Sequence, residues 1–284
     1  MTAAPESAQA KAKVPLNRGT LWARRLIALL AGVILSLLLL EGLLSLDPVG
    51  LRYIRDYKVL TDQIVPAPAG YTYAAGEYRL SRSTVTMLDD GTRLVPDSSE
   101  SAEQTLVLVG DSVTFGLGVS DDQTFANLIA RARQDLRVIN AGMPAFNIVN
   151  IRRLVEQQAP DAQILYLISD NDADPIFEPS FNPDDRLPDL SWIALYWRFL
   201  PVVMQASDPR FSNAGRDVEA YLREATAVTS DPRVLAAGYD DVLTPITPGA
   251  MSIPAYTTRL SFADKHPDAN GHRQIAEALL RLLE

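Results

Sequence analysis

Two hydrophobic periods run through the second half of this 284-residue chain, and one long apolar run dominates its start. The stretch from Thr105, TLVLVGD, is continuously apolar over the length of a strand and ends in a turn, as expected for a strand covered on both faces. Phe125, Leu128, Ile129 and Ala132 recur at helical spacing and predict a helix over 124–135, with Ser120 or Asp122 available to cap that segment. A short strand over 137–140, a helix over 148–158 and a strand over 164–168 follow, the last two separated by Pro160. Strand and helix alternating at this range imply parallel strands joined by crossover helices: an α/β fold, a three-layer α/β/α sandwich with a mainly parallel sheet. Ligands of such sheets bind at the carboxyl ends of the strands.

The flanks are less regular. Residues 47–77, with Pro48, Pro66 and Pro68, read as a spacer holding one short helix over 51–59. A hairpin is expected next, with a strand over 78–88, a reversal at Asp89-Asp90-Gly91 and a return over 93–95. Beyond 174 the pattern weakens. A markedly apolar segment, LSWIALYWRFLPVVM at 190–204, reads as a helix packed on the domain, as a lid or acyl-binding wall, or as a surface resting on a bilayer. A helix over 217–226 and a strand over 242–246 are expected, and an amphipathic helix starting near Asn270 turns Ile275, Leu279 and Leu282 to the core.

The apolar run at the start changes the picture most. Residues 26–40 contain no charge, and 26–46 contain only Glu41, a span of roughly 30 Å at helical rise that matches the hydrocarbon core of a bilayer. Glu41 lies near the distal end, where a carboxylate is tolerated. Lys11, Lys13, Arg18, Arg24 and Arg25 before the span, against Arg52, Arg55 and Lys58 after it, put the N-terminus inside and the remainder outside the cytoplasm. A cleaved signal peptide is the competing reading, although LLSLDPVG offers no small-x-small cleavage site. The expected layout is a disordered tail at 1–20, a transmembrane helix at 21–46, a spacer and hairpin at 47–104, and an α/β domain at 105–284 with an atypical insert at 174–261.

Charge and composition mainly exclude. A net charge of -9 with no basic stripe argues against a nucleic-acid partner. The absence of cysteine excludes disulfides, thiolate nucleophiles and cysteine-bound metals while leaving the compartment open.

Candidate chemistry gathers at the predicted strand ends. Gly110-Asp111-Ser112 closes the first strand and presents a serine hydroxyl, with little steric cover, at a strand-to-helix turn, as a nucleophile requires. The glycines of GDSVTFGLG do not complete a dinucleotide fingerprint, and no phosphate-loop lysine is present. Asn140-Ala141-Gly142 could aim a backbone amide at the same pocket, and Asn171 could offer a side-chain amide. Asp170, Asp172 and Asp174 do not make a calcium loop, because the sixth position is Pro175 and the twelfth is Phe181. Of the two histidines, His266 stands in Asp264-Lys265-His266-Pro267, where the aspartate could orient the imidazole, and His272 reads as structural within the last helix.

The ordered blocks GDS, a glycine loop, an Asn-Asp pair and DKHPDANGHRQIAEALL resemble the SGNH hydrolases, also called GDSL esterases, in particular their membrane-anchored bacterial members. The resemblance covers 105–172 and 262–283 and implies an SGNH, flavodoxin-like fold. It further implies Ser112 as nucleophile, His266 as base, Asp264 as the acid that holds it, and an oxyanion hole from the amides of Ser112 and Gly142 and the side chain of Asn171. Two departures stand out: Ser169 replaces the usual glycine, and one residue instead of two separates acid and histidine. The implied function is a membrane-anchored serine ester hydrolase acting on an acyl ester of a lipid, glycan or small molecule, with no cofactor or metal required. O-acyl transfer to an envelope glycan, and an inactive binding or scaffold protein of the same fold, are the alternatives.

Overall fold

The computed structural model describes residues 18–169, 171–173, 189–206, 218–239 and 243–284. It begins with helix α1 (Arg18–Leu44), whose apolar side chains project outward along its length; Ile34 and Leu38 are 58% and 64% exposed. Among the described residues this is the one helix long and apolar enough to cross a membrane. A tight turn leads to α2 (Arg52–Thr61). Asp47, at positive φ, accepts hydrogen bonds from the Leu51 and Arg52 amides and so starts that helix.

The spacer is more ordered than its prolines imply. Strands β1 (Ile64–Ala67) and β2 (Gly70–Tyr73) form a hairpin there, with Pro66 in the first strand of a two-stranded pair, where the missing N–H disturbs no larger ladder. The strand expected over 78–88 is two strands, β3 (Gly76–Arg79) and β4 (Thr84–Met87), paired antiparallel around a turn at 80–83. The reversal at Asp89-Asp90-Gly91 is present: the Gly91 amide donates to Leu88, and Arg93 bridges back to Met87.

The main sheet starts with β5 (Gln104–Gly110), followed by the one-turn helix α3 (Ser112–Phe115), α4 (Phe125–Ala132), β6 (Leu136–Asn140), α5 (Ile148–Glu156) and β7 (Gln163–Ile168). Then come α6 (Trp192–Ala206), α7 (Val218–Thr229), β8 (Val234–Tyr239), β9 (Met251–Ile253) and α8 (Ala269–Leu282). The five strands pair in the order β6-β5-β7-β8-β9, all parallel. Alternate residues feed opposite layers, as the strand period demands. Val107, Val109, Ile164, Tyr166 and Ile168 face α5, α7 and the hairpins, while Leu106, Leu108, Leu165 and Leu167 face α4 and α8. The fold is the expected α/β/α sandwich.

Two expectations for the later half need correction. No strand runs over 243–246; Thr244–Ile246 is a turn of 3-10 helix with Pro245 inside it, which cannot donate to a ladder. The helix expected over 217–226 is α7, and the strand that was not legible there is β8, which pairs along β7. Glu41, read as merely tolerated, accepts the Trp192 and Ile193 amides at 2.6 and 3.0 Å and so satisfies the exposed start of α6.

Arg93 joins these parts. Its side chain is fully buried, Nε donates to Asp121 Oδ1 at 2.8 Å, and its terminal nitrogens donate to the carbonyls of Phe115, Gly116 and Val119 at 2.7–2.8 Å. Its amide donates to Asn140, so one residue fastens the hairpin, the β6 edge and the turn after α3. Arg93→Met keeps much of the volume but strands those carbonyls and a mostly buried carboxylate. We expect urea unfolding of the full chain to lose about 3–5 kcal/mol of stability; an unchanged midpoint would show that the clamp contributes nothing net.

Candidate active site

Ser112 sits where β5 ends. The Asp111 carboxylate caps α3 by accepting the Val113 amide at 2.9 Å, which leaves Ser112 as the first helical residue. Gly116, at φ 84°, closes the turn in the left-handed conformation. The Ser112 amide, as a first-turn donor, has no partner within the helix, and none of the described residues accepts it.

The loop ahead of α8 brings the imidazole. The Leu260 amide donates to the His266 carbonyl at 3.0 Å, the Ser261 amide to the Asp264 carbonyl at 3.1 Å, and the Asp264 amide to Ser261 Oγ at 2.9 Å. Asp268 then caps α8 through the Asn270 and Gly271 amides. In this frame His266 Nε2 lies 2.8 Å from Ser112 Oγ and Nδ1 lies 2.6 Å from Asp264 Oδ1. The acceptors fix the tautomer: Nδ1–H donates to the carboxylate, and Nε2 accepts the serine hydroxyl. Three side chains, two of them 154 residues apart, thus form one continuous hydrogen-bonded line.

The serine is less open than its turn implied: Ser112 is 9% exposed, lying beneath an imidazole that is 24% exposed. Burial lowers the His266 pKa, but the hydrogen bond and charge of Asp264, with the charge of Asp111, outweigh it and hold the pKa above 6.5. His272 is the opposite case. It is fully buried, its Nδ1 accepts the Phe125 amide, and burial with the nearby Arg93 charge pushes its pKa down to about 3, so it stays neutral and structural as expected.

Gly142 packs against α3 so closely that a Cβ would lie 2.5 Å from the Phe115 nitrogen and 2.7 Å from the Thr114 carbonyl carbon, which accounts for the glycine. Its amide donates to Asn140 Oδ1 at 3.1 Å. The Asn171 side chain hydrogen-bonds the Asp111 carboxylate. Both lie beside the serine turn, each already with an acceptor.

Asp111 is the residue that sequence reasoning passed over. Its carboxylate is 1% exposed, accepts Ser169 Oγ at 3.0 Å and lies 3.4 Å from Ser112 Oγ. Burial raises its pKa, and the Val113 amide, the His266 charge, Ser169 and Asn171 partly counter this. Ser169, noted as a departure, therefore supplies a hydrogen bond to that acid. The signal was available, since an aspartate ahead of a short helix is a preferred cap. Asp172 is buried and accepts Tyr166 Oη and the Ser169 amide, whereas Asp170 and Asp174 lie outside the described residues. Among the described residues no acidic or histidine cluster is arranged to hold a metal. A small pocket opens beside Asp264, lined by Tyr53, Leu117 and Leu260.

No protein-family model matches the chain, and no curated protein matches it. Solved structures do. A lipolytic protein of the G-D-S-L family from Veillonella parvula is 13% identical, with 63% of this chain and 97% of that one covered at a TM-score of 0.39. A carbohydrate acetylesterase family member from Sinorhizobium meliloti is 14% identical over 63% and 97%, at 0.36. A family two carbohydrate esterase from Cellvibrio japonicus is 15% identical over 70% and 64%, also at 0.36. The chain is thus similar to structures of the GDSL and acetylesterase group at low identity.

Proposed function

We propose that this protein is a membrane-anchored serine ester hydrolase acting outside the cytoplasm. The observation that carries the reading is the unbroken line Ser112 Oγ–His266–Asp264, with spacings of 2.8 and 2.6 Å. Ser112 Oγ attacks the carbonyl carbon of an acyl ester while His266 Nε2 takes its proton, and Asp264 stabilises the imidazolium. The tetrahedral intermediate collapses as the leaving alkoxide takes the proton back from Nε2, leaving an acyl-serine. Water then repeats the sequence, giving up its proton to His266 and releasing the acid and Ser112.

Charge on the carbonyl oxygen needs donors already in place, each worth ~3 kcal/mol of barrier. The open amide of Ser112 is the first. The Gly142 amide and the Asn171 side chain complete the set by exchanging Asn140 and Asp111 for the oxyanion. α1, long and apolar enough to span a bilayer, supplies the anchor, and the basic residues before it set its N-terminus inside.

A fluorophosphonate probe should label the full chain in detergent, and Ser112→Ala should abolish both labelling and ester turnover. Turnover that survives Ser112→Ala would remove the proposed nucleophile. Product analysis with a glycan acceptor present separates hydrolysis from transfer, free acid being the expected product.

The neutral imidazole is the active form, so kcat/KM should fall as pH drops through a value above 6.5. Asp264→Asn removes the hydrogen bond and charge that raise that value; the acid limb should move to lower pH while the rate falls by ~10³–10⁴. Ring-proton NMR of His266 should titrate with the same midpoint, undisturbed by the silent His272. A midpoint below 6.5 that Asp264→Asn leaves in place would rule out this pairing.

A further inference from the structure

Helix α6 has two unlike sides. Leu195 and Tyr196 are buried against Leu51 and Ile54, with Phe199 and Ala263 packed around them. The opposite side carries Trp197, 86% exposed, beside the exposed Arg198. That side runs along α1: Leu37, Ile193, Ala194, Trp197 and Arg198 line one open groove between the two helices, and Glu41 caps the first turn of α6.

Depth follows from this placement. Leu37 lies seven residues before the end of α1 at Leu44, roughly 10 Å along the helix axis. A side chain level with Leu37 is therefore level with acyl chains whenever α1 spans a bilayer. Trp197 and Arg198 suit such a position, the indole at the boundary and the guanidinium reaching back towards phosphates. Arg55 is directed over the Trp192 ring at 4.1 Å, and Arg52 lies 5.7 Å from the same ring, so positive charge rims the start of α6 where headgroups would stand.

We propose that α6 lies in the outer leaflet with its Trp197 side among the acyl chains, so that the bilayer is a docking surface of the globular domain as well as the medium of its anchor. This rests on reading α1 as a spanning helix. The consequence reaches the active site. Ala263 packs in the cluster that α6 covers, its amide donates to the Val49 carbonyl at 3.2 Å, and the next residue is Asp264. The serine site is then fixed close above the lipid surface instead of roaming on a tether, a position suited to acyl esters presented by that surface.

The absence of cysteine makes the test direct. Trp197→Cys, Leu38→Cys and Arg273→Cys, each at an exposed position, are spin-labelled in the full chain and reconstituted in phosphatidylcholine vesicles. Collision with oxygen and with a water-soluble nickel chelate is then compared. The label at position 197 should favour oxygen, at a depth of about 5–10 Å below the headgroup boundary, close to that of the label at 38 and unlike the aqueous label at 273. A label at 197 as open to nickel as the one at 273, with 38 still in lipid, overturns the proposal and leaves the anchor intact. If 38 also reads as aqueous, the anchor falls and the proposal falls with it.

Discussion

A guanidinium in a protein interior is unstable unless its charge and its donors are met, and the architecture around the serine turn is arranged to meet those of Arg93. Asp121 supplies the countercharge, and three carbonyls from the turn after α3 take the remaining donors. Those carbonyls are held in turn, so the helix carrying Ser112 cannot drift relative to the sheet. Asn140, whose carbonyl accepts the Arg93 amide, also accepts the Gly142 amide through its side chain, and its Nδ2 is directed to the Phe115 carbonyl. The serine turn and the glycine loop thus share one polar scaffold, and the hairpin strand ahead of the domain is part of it.

Around the single imidazole stand two buried carboxylates with separate tasks. Asp264 bonds the ring directly and shares a rigid loop with it. Asp111 works from the other side: it caps α3, ties in Ser169 and Asn171, and adds negative charge that favours the imidazolium without touching the ring nitrogens. Each lies on a different element, so the electrostatics of the site depend on the register between the end of β5 and the loop before α8.

The first half of the sandwich was legible because its patterns are local. The apolar runs of β5 and β7 and the helical spacing of Phe125, Leu128 and Ile129 each identify an element without reference to the rest. What was hidden depended on distant partners. β8, VLAAGY, has alanines and a glycine where a strand signal wants β-branched residues, and only pairing along β7 selects its conformation. Pro66 disguised the first hairpin, and the expected strand looked extended although Thr244–Ile246, with Pro245 inside it, is a turn of 3-10 helix. At the site, Ser112, His266 and Asp264 were readable as a motif, and their side chains lie within hydrogen-bond distance of one another in succession. Asp111 and Arg93 were not, since a turn aspartate and a strand arginine acquire their roles only when tertiary structure removes water from them.

Glu41 has a consequence for how the protein can be handled. Two amides at the head of α6 depend on a carboxylate inside the apolar helix, so α1 and the domain are joined by more than chain continuity. A fragment that starts after residue 46 leaves those amides to water and loosens the cluster beside Asp264. Separating α1 from the domain would therefore give a weakened form, because α6 loses the acceptor that starts it.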